Sequence, residues 1–255
     1  MSKAYFSESL ARGLAVLRSF DRSVPRQRIT VVAKRTGLTR AAARRFLLTL
    51  KDLGYVGADG DTFYLRPRVL DLGYHFFATN DVASLIQPVL AELADRTQEA
   101  TTFGVLEGND VLIIARSSKR LWDLHVSTGS RLPLLQTSLG LVLLSAEPGE
   151  RQLAILNSLL QSKDDIRRTL SQLEETAKKD YYISRRELSP NLTAVAVPVR
   201  DSKQNVVGAL NLTSHTSTLS HAALKQKVLP LLRDATSQIQ AAIRTSEIPF
   251  NLRED

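Results

Sequence analysis

The chain is 255 residues long, 43% hydrophobic and 24% charged, with no cysteine and a formal net charge of +8. The length suits one large domain or two modest ones, and the missing cysteines exclude disulfides, thiolate metal sites and a cysteine nucleophile. No apolar run approaches the ~18 residues of a membrane span and no signal-peptide core opens the chain, so a cytoplasmic protein with no membrane partner is expected.

The charge is unevenly placed. Met1 to Arg68 holds 14 Lys and Arg against 5 Asp and Glu, which leaves 20 basic and 21 acidic residues for everything beyond. A polyanion-binding module joined to a nearly neutral one is the reading this asymmetry supports.

In chain order, Leu10, Leu14, Leu17 and Phe20 recur at helical spacing over Ser9 to Phe20, with Ser7 or Ser9 as cap. Asp21 to Gln27, with Pro25, breaks the pattern. A second helix is predicted from a Thr30 cap to Thr36, ended by Gly37, and a third from Arg40 to Leu53, ended by Gly54. At 100° per residue, Ala43, Phe46, Leu50 and Leu53 share one side of the third helix, while Arg40, Arg44, Arg45 and Lys51 lie away from it. The run Ala41-Ala42-Ala43 leaves little side chain near the helix start. Aromatic and β-branched residues then flank Asp59-Gly60, a hairpin signal, and Arg66 and Arg68 follow it. Helix, Gly-containing turn, helix and hairpin together read as a winged helix-turn-helix, whose third helix enters the major groove of double-stranded DNA. Arg12, Thr39, Arg40, Ala42, Arg44, Arg45, Lys51 and Arg66 are the DNA-contacting residues this reading selects.

Beyond the hairpin, Val69 to Ala78 predicts a helix with Val69, Leu72, Phe76 and Phe77 on one stripe, either an interdomain core or a dimer seam. Asn80 and Asp81 offer a new cap, and Pro88 predicts a kink or restart in the helix that follows. From Thr101 the period becomes strand-like. Thr101–Leu106 and Val111–Arg116 flank Glu107-Gly108-Asn109-Asp110, and Trp122 to Val126 continues the sheet. Leu139–Ser145, Glu150–Leu160 and Asp164–Lys179 read as helices, Ala194–Arg200 and Val206–Leu212 as a second strand pair, and Ala222–Arg244 as a closing helix. This is an α+β domain built on an antiparallel sheet. His75, His125, His215 and His221 lack metal-ligand spacing, and no nucleophile elbow or phosphate-cradling glycine loop is present. No enzyme, metal or cofactor is expected.

Several segments resemble the IclR-type bacterial transcription regulators. They are Ser9 to Leu17, Thr36-Gly37-Leu38-Thr39-Arg40 through Leu50, Leu53 to Val56, Leu65 to Gly73, Gly129 to Pro133, Thr137 to Gly140, Ala196 to Asp201 and Gly208 to Leu212. The resemblance implies a helical linker used for dimerisation, a GAF-like C-terminal effector-binding domain, and homodimers or tetramers. It looks closest to the branch controlling aromatic-acid catabolism, such as the protocatechuate and p-hydroxybenzoate pathways. It divides the chain at 1–68, 69–80 and 81–255. Val31, Leu141 and Ser184-Arg185-Arg186-Glu187 depart from the family pattern, the last beside the expected effector pocket.

By position in that pattern, Thr137, Ser138, Leu139, Ser184, Arg186, Leu192 and Ala194 would line a pocket for a small organic, possibly aromatic, acid. Free amides at the start of the helix after Ser138 suit a carboxylate. Phe103 is added for ring stacking and Asn211 for hydrogen bonding. Alternatives stand beside these readings: Ser138 as a plain helix cap, Arg186 in a surface ion pair, and Phe103, Leu192 and Ala194 as core. A C-terminal half that only oligomerises is the rival to a sensor.

Overall fold

The protein is described from a computed structural model covering residues 5–79, 82–119, 126–184 and 189–245. Its contacts divide into two compact units, residues 1–79 and 80–255. The Asn80–Asp81 cap, the strand begun at Trp122, and Arg185 and Arg186 lie outside the described residues.

In the first unit, α1 (Glu8–Arg18) starts at Ser7, whose side chain accepts the Leu10 amide. Helical spacing aims Leu10, Leu14, Leu17 and Phe20 inward; Phe20 and, in part, Leu17 join the core, but Leu10 and Leu14 are 64% and 40% exposed and Val16 is buried in their place. A short strand, β1 (Arg26–Arg28), precedes α2 (Ile29–Thr36), so α2 begins at Arg28 rather than at Thr30. Gly37 ends α2 at φ 69°, a left-handed conformation that glycine adopts without a Cβ penalty. Thr39 then caps α3 (Arg40–Asp52) by accepting the Ala42 amide.

On α3, Ala43, Leu47 and Leu50 are the buried residues. The packed side is therefore rotated toward Leu47, with Phe46 half-buried and Leu53 51% exposed, because Ala43, Leu47 and Leu50 share one core with Val16 and Phe20 and with Val32 and Ala33 of α2. Strands β2 (Val56–Asp59) and β3 (Thr62–Leu65) form the hairpin, turning through Gly60 at φ 57°. Strand β1 adds to β3, giving a three-stranded antiparallel wing. A 3-10 turn (Pro67–Val69) leads into α4 (Leu70–Thr79).

In the second unit, α5 (Val82–Thr97) continues through Pro88 as one helix. Six strands follow: β4 (Ala100–Glu107), β5 (Asp110–Ser117), β6 (Arg131–Pro133), β7 (Tyr182–Ile183), β8 (Leu192–Arg200) and β9 (Val206–His215). They make one antiparallel sheet in the order β6-β5-β4-β9-β8-β7. Helices α6 (Ser138–Ser145), α7 (Gly149–Leu159) and α8 (Lys163–Lys179) lie between β6 and β7 in sequence. The chain closes with α9 (His221–Ala223), a π-helical turn (Leu224–Val228) and α10 (Leu229–Thr245).

Both faces of the sheet are covered. Leu139, Leu143 and Leu144 of α6 join Val111, Ile113, Ala196 and Ala209 in one core. Helices α5 and α10 pack on the other face, where Ile86, Leu90 and Ile239 are fully buried. Strand β4 is consequently buried at seven consecutive positions. This is a GAF-like α+β arrangement.

Candidate functional site

On the first unit, the cations sort by whether a carboxylate already holds them. Arg12 pairs with Glu8 (3.2 Å), Arg26 with Asp59 (2.9 Å), Arg28 with Asp61 (2.9 Å) and Arg35 with Asp21 (2.6 Å). Arg35 also donates to the Ser19 carbonyl (2.5 Å), so it ties α2 to the end of α1. Hydrogen bonds from the Ser23 hydroxyl and the Arg35 guanidinium hold the Asp21 carboxyl well below the usual carboxylate range. The pairs at Asp59 and Asp61 offset two negative charges at the wing tip that would otherwise repel phosphates.

Arg40, Arg44, Arg45 and Lys51, all exposed on α3, make no ion pair among the described residues. The same holds for Arg66 at the wing exit, whose amide donates to the Tyr55 carbonyl (2.8 Å). Thr39 and Ala42 act locally, one capping and the other donating its amide to that cap. The exposed part of α3 thus presents guanidinium groups held by no carboxylate among the described residues at the helix's first two turns, the end that reads base edges in this motif.

On the second unit, a cavity of about 550 Å³, counting its opening to solvent, lies between the sheet and the start of α6. Thr137, Ser138, Leu139, Ser184, Leu192, Ala194 and Asn211 all line it. The structure does not bring Phe103 there. Its ring lies over Gly208, where a Cβ would overlap it, and it is fully buried on the α5–α10 face. The physical reason is strand parity: Thr102, one residue earlier, takes the cavity face.

Alternation could not reveal this parity, since both sheet faces are apolar and covered. Thr102, Arg116, Gln136, Ser189, Thr193 and Thr213 complete the polar lining and were not singled out by sequence reasoning. For Arg116 a signal existed: it is the one charge ending the apolar run Val111 to Ala115.

Three features give the cavity its chemistry. Thr137 caps α6 by accepting the Gly140 amide (3.0 Å), which leaves the amides of Ser138 and Leu139 without an intrahelical acceptor. Arg116 is the one charged residue lining the cavity among the described residues, and its Nε donates to the Val126 carbonyl (3.0 Å). Burial pushes the Arg116 pKa down. Finally, Asn211 is only 6% exposed, and its Oδ1 is buried with no hydrogen-bond partner.

A basic winged helix-turn-helix and a GAF-like unit with a polar-lined cavity define a DNA-binding transcriptional regulator of the one-component type. The comparisons agree. Residues 9–60 match the IclR helix-turn-helix domain, and residues 75–241 match the bacterial transcriptional regulator IclR C-terminal domain. The chain belongs to the IclR family of bacterial transcriptional regulators.

Among curated relatives, the Pca regulon regulatory protein of Pseudomonas putida is 34% identical, over 92% of this chain and 83% of its own. The p-hydroxybenzoate hydroxylase transcriptional activator of Acinetobacter baylyi is 33% identical, over 91% of this chain and 90% of its own. Relatives in aromatic catabolism match the branch expected from sequence. An IclR homolog from Microbacterium hydrocarbonoxydans, solved in complex with 4-hydroxybenzoate, superposes with a TM-score of 0.80 at 23% identity, covering 94% of this chain and 100% of that one. No helix among the described residues is long and apolar enough to cross a membrane.

Proposed function

We propose that this regulator controls transcription in response to a small aromatic carboxylic acid bound in the cavity beside α6. The observation that carries the reading is a cavity beside α6 whose lining joins hydroxyl and amide groups and a half-buried cation, Arg116, to apolar walls. Leu132, Leu139 and Leu192 supply apolar walls suited to a ring. The 4-hydroxybenzoate complex of the Microbacterium homolog and the names of the two curated relatives support an aromatic acid. Arg186, outside the described residues, remains an effector residue by family position only.

In this reading residues 1–68 bind the operator, 69–80 link the two modules, and 81–255 sense the acid in the cytoplasm. The protein works as a homodimer or a tetramer of such pairs. Leu10 and Leu14 on α1, with Leu70 (74% exposed), Leu72 and Tyr74 on α4, are large apolar groups in water that pairing would cover. Effector binding shifts the population of linker arrangements, and half-sites one turn apart, about 34 Å, tolerate little change in that spacing.

Calorimetric titration of the full chain with benzoate, 4-hydroxybenzoate and 3,4-dihydroxybenzoate tests the sensor. At least one acid binds, and Arg116→Gln weakens it by about tenfold or more. Absence of binding by every acid would favour a C-terminal unit that only oligomerises.

A further inference from the structure

We infer that Asp59 and Asp61 restrain sequence-independent DNA binding. At the tip of the wing they stand in for phosphates, occupying Arg26 and Arg28, two cations that would otherwise grip any duplex.

Strand register sets Arg26, Arg28 and Asp59 on one face of the wing. Arg26 is directly opposite Tyr64, which is opposite Gly57, and Arg28 is opposite Thr62, which is opposite Asp59. Residues paired in this way share a side of the sheet, and positions two apart return to it. Gln27 and Phe63 lie between them, on the other side, and are buried.

Arg26 is held on the outer face twice. The Tyr64 ring lies over Gly57, where a Cβ would overlap it, and the Arg26 guanidinium sits 4.9 Å from the centre of that ring. Its Nη1 donates to Asp59 Oδ2 (2.9 Å). Arg28 reaches the hairpin turn, its Nε 2.9 Å from Asp61 Oδ2. Asp59 and Asp61 are the two acidic residues between Asp52 and Asp71, and each holds one arginine of β1.

The location ties these pairs to DNA. Arg28 is the residue that opens α2, the helix of the motif that crosses the phosphate backbone, and the hairpin directly follows α3, the helix that enters the groove. Stability gives little reason for them: all four side chains are more than half exposed, and ion pairs in water contribute little to folding. Binding gives a better one. An arginine on a carboxylate brings no net charge to a phosphate, and it must leave that partner before it can displace a counterion from DNA. Binding to arbitrary sequence is essentially all of this electrostatic kind, so two withheld cations weaken it directly. Arg40, Arg44 and Arg45 on α3, which no carboxylate holds among the described residues, stay available for base edges.

Fluorescence anisotropy of the full chain with a labelled mixed-sequence duplex, at several salt concentrations, reads sequence-independent binding alone. The test variant combines Asp59→Asn with Asp61→Asn, since Asn-Gly keeps the turn at Gly60. It binds this duplex about fivefold or more tightly than the wild type does, and the slope of log affinity against log salt steepens by about 0.9 for each arginine that gains a phosphate, about 1.8 per wing. Arg26→Gln with Arg28→Gln costs the wild type several-fold less than it costs the Asn variant, because only there are the arginines free to reach DNA.

Unchanged affinity and slope in the Asn variant overturn the inference. An equal cost of the two arginine substitutions in both backgrounds overturns it as well, because the carboxylates would then act by repelling phosphates and not by holding Arg26 and Arg28. Should the double Asn variant melt below the wild type, Asp59→Asn and Asp61→Asn singly repeat the measurement, each with half the change in slope.

Discussion

Replacing Arg44 with Ala tests whether α3 is the groove-facing helix. The side chain is exposed on the second turn of α3, away from the Ala43–Leu47–Leu50 core, and no carboxylate holds it. Folding should be almost untouched, within about 0.5 kcal/mol, because no buried contact is removed. Binding should change in one of two distinguishable ways. If Arg44 pairs with a guanine edge, affinity falls by about 1–3 kcal/mol per half-site, and mutating that operator position costs the variant nothing further. If it meets a phosphate, all sequences weaken alike. The slope of log affinity against log salt then drops by about 0.9 per half-site, or about 1.8 across a two-fold operator.

Fluorescence anisotropy with the operator and its single-position variants, at several salt concentrations, separates the two outcomes. Arg12→Ala is the internal comparison, since its guanidinium is already paired with Glu8. Its effect should be smaller on both affinity and slope. If Arg44→Ala altered neither while Arg12→Ala altered either, α3 would not be the reading helix and the sorting of cations by their partners would be wrong.

Three further outcomes follow from the packing. Leu47→Ala, at a fully buried position between α1, α2 and α3, should cost about 2–5 kcal/mol. Amide exchange over α1 to β3 should accelerate while strands β4 to β9 keep their protection. Gly140→Ala should displace α6, because a Cβ there would overlap the Leu134 carbonyl oxygen. A loss of about 1–3 kcal/mol in chemical denaturation, with loss of acid binding in calorimetry, is expected. Asp21 has a folded pKa below its unfolded 3.8, so its bracket with Ser23 and Arg35 contributes fully above that value and fades as pH falls through and below it. Acid titration of Asp21→Asn should show a shallower loss of stability on the acid side than the wild type, and equal slopes would refute the bracket.

Local chemistry was legible without any structure. Thr39 beside Arg40, Gly37 after Thr36 and the Asp59-Gly60 pair each act over a few residues, through a cap, a left-handed turn and a hairpin turn, so α3 and the wing follow from the chain itself. The charge asymmetry is likewise a property of sequence. Even the cavity was roughly marked, because Thr137 to Leu139 open a helix and Asn211 is an isolated amide in an apolar strand.

What the sequence could not supply was the direction of each side chain where all directions are apolar. Helical spacing offered Phe46 and Leu53 as readily as Leu47, and only the placing of α1 and α2 against α3 chose Leu47. On β4, seven buried positions erase alternation, so Phe103 and Thr102 were indistinguishable until Phe103 was seen to lie over Gly208. The edge strands β1, β6 and β7 are two or three residues long and exist only through their partners. Arg116, Thr102 and Asn211 are scattered over 110 positions of chain and become one polar row through cross-strand register, a long-range property that no local pattern encodes.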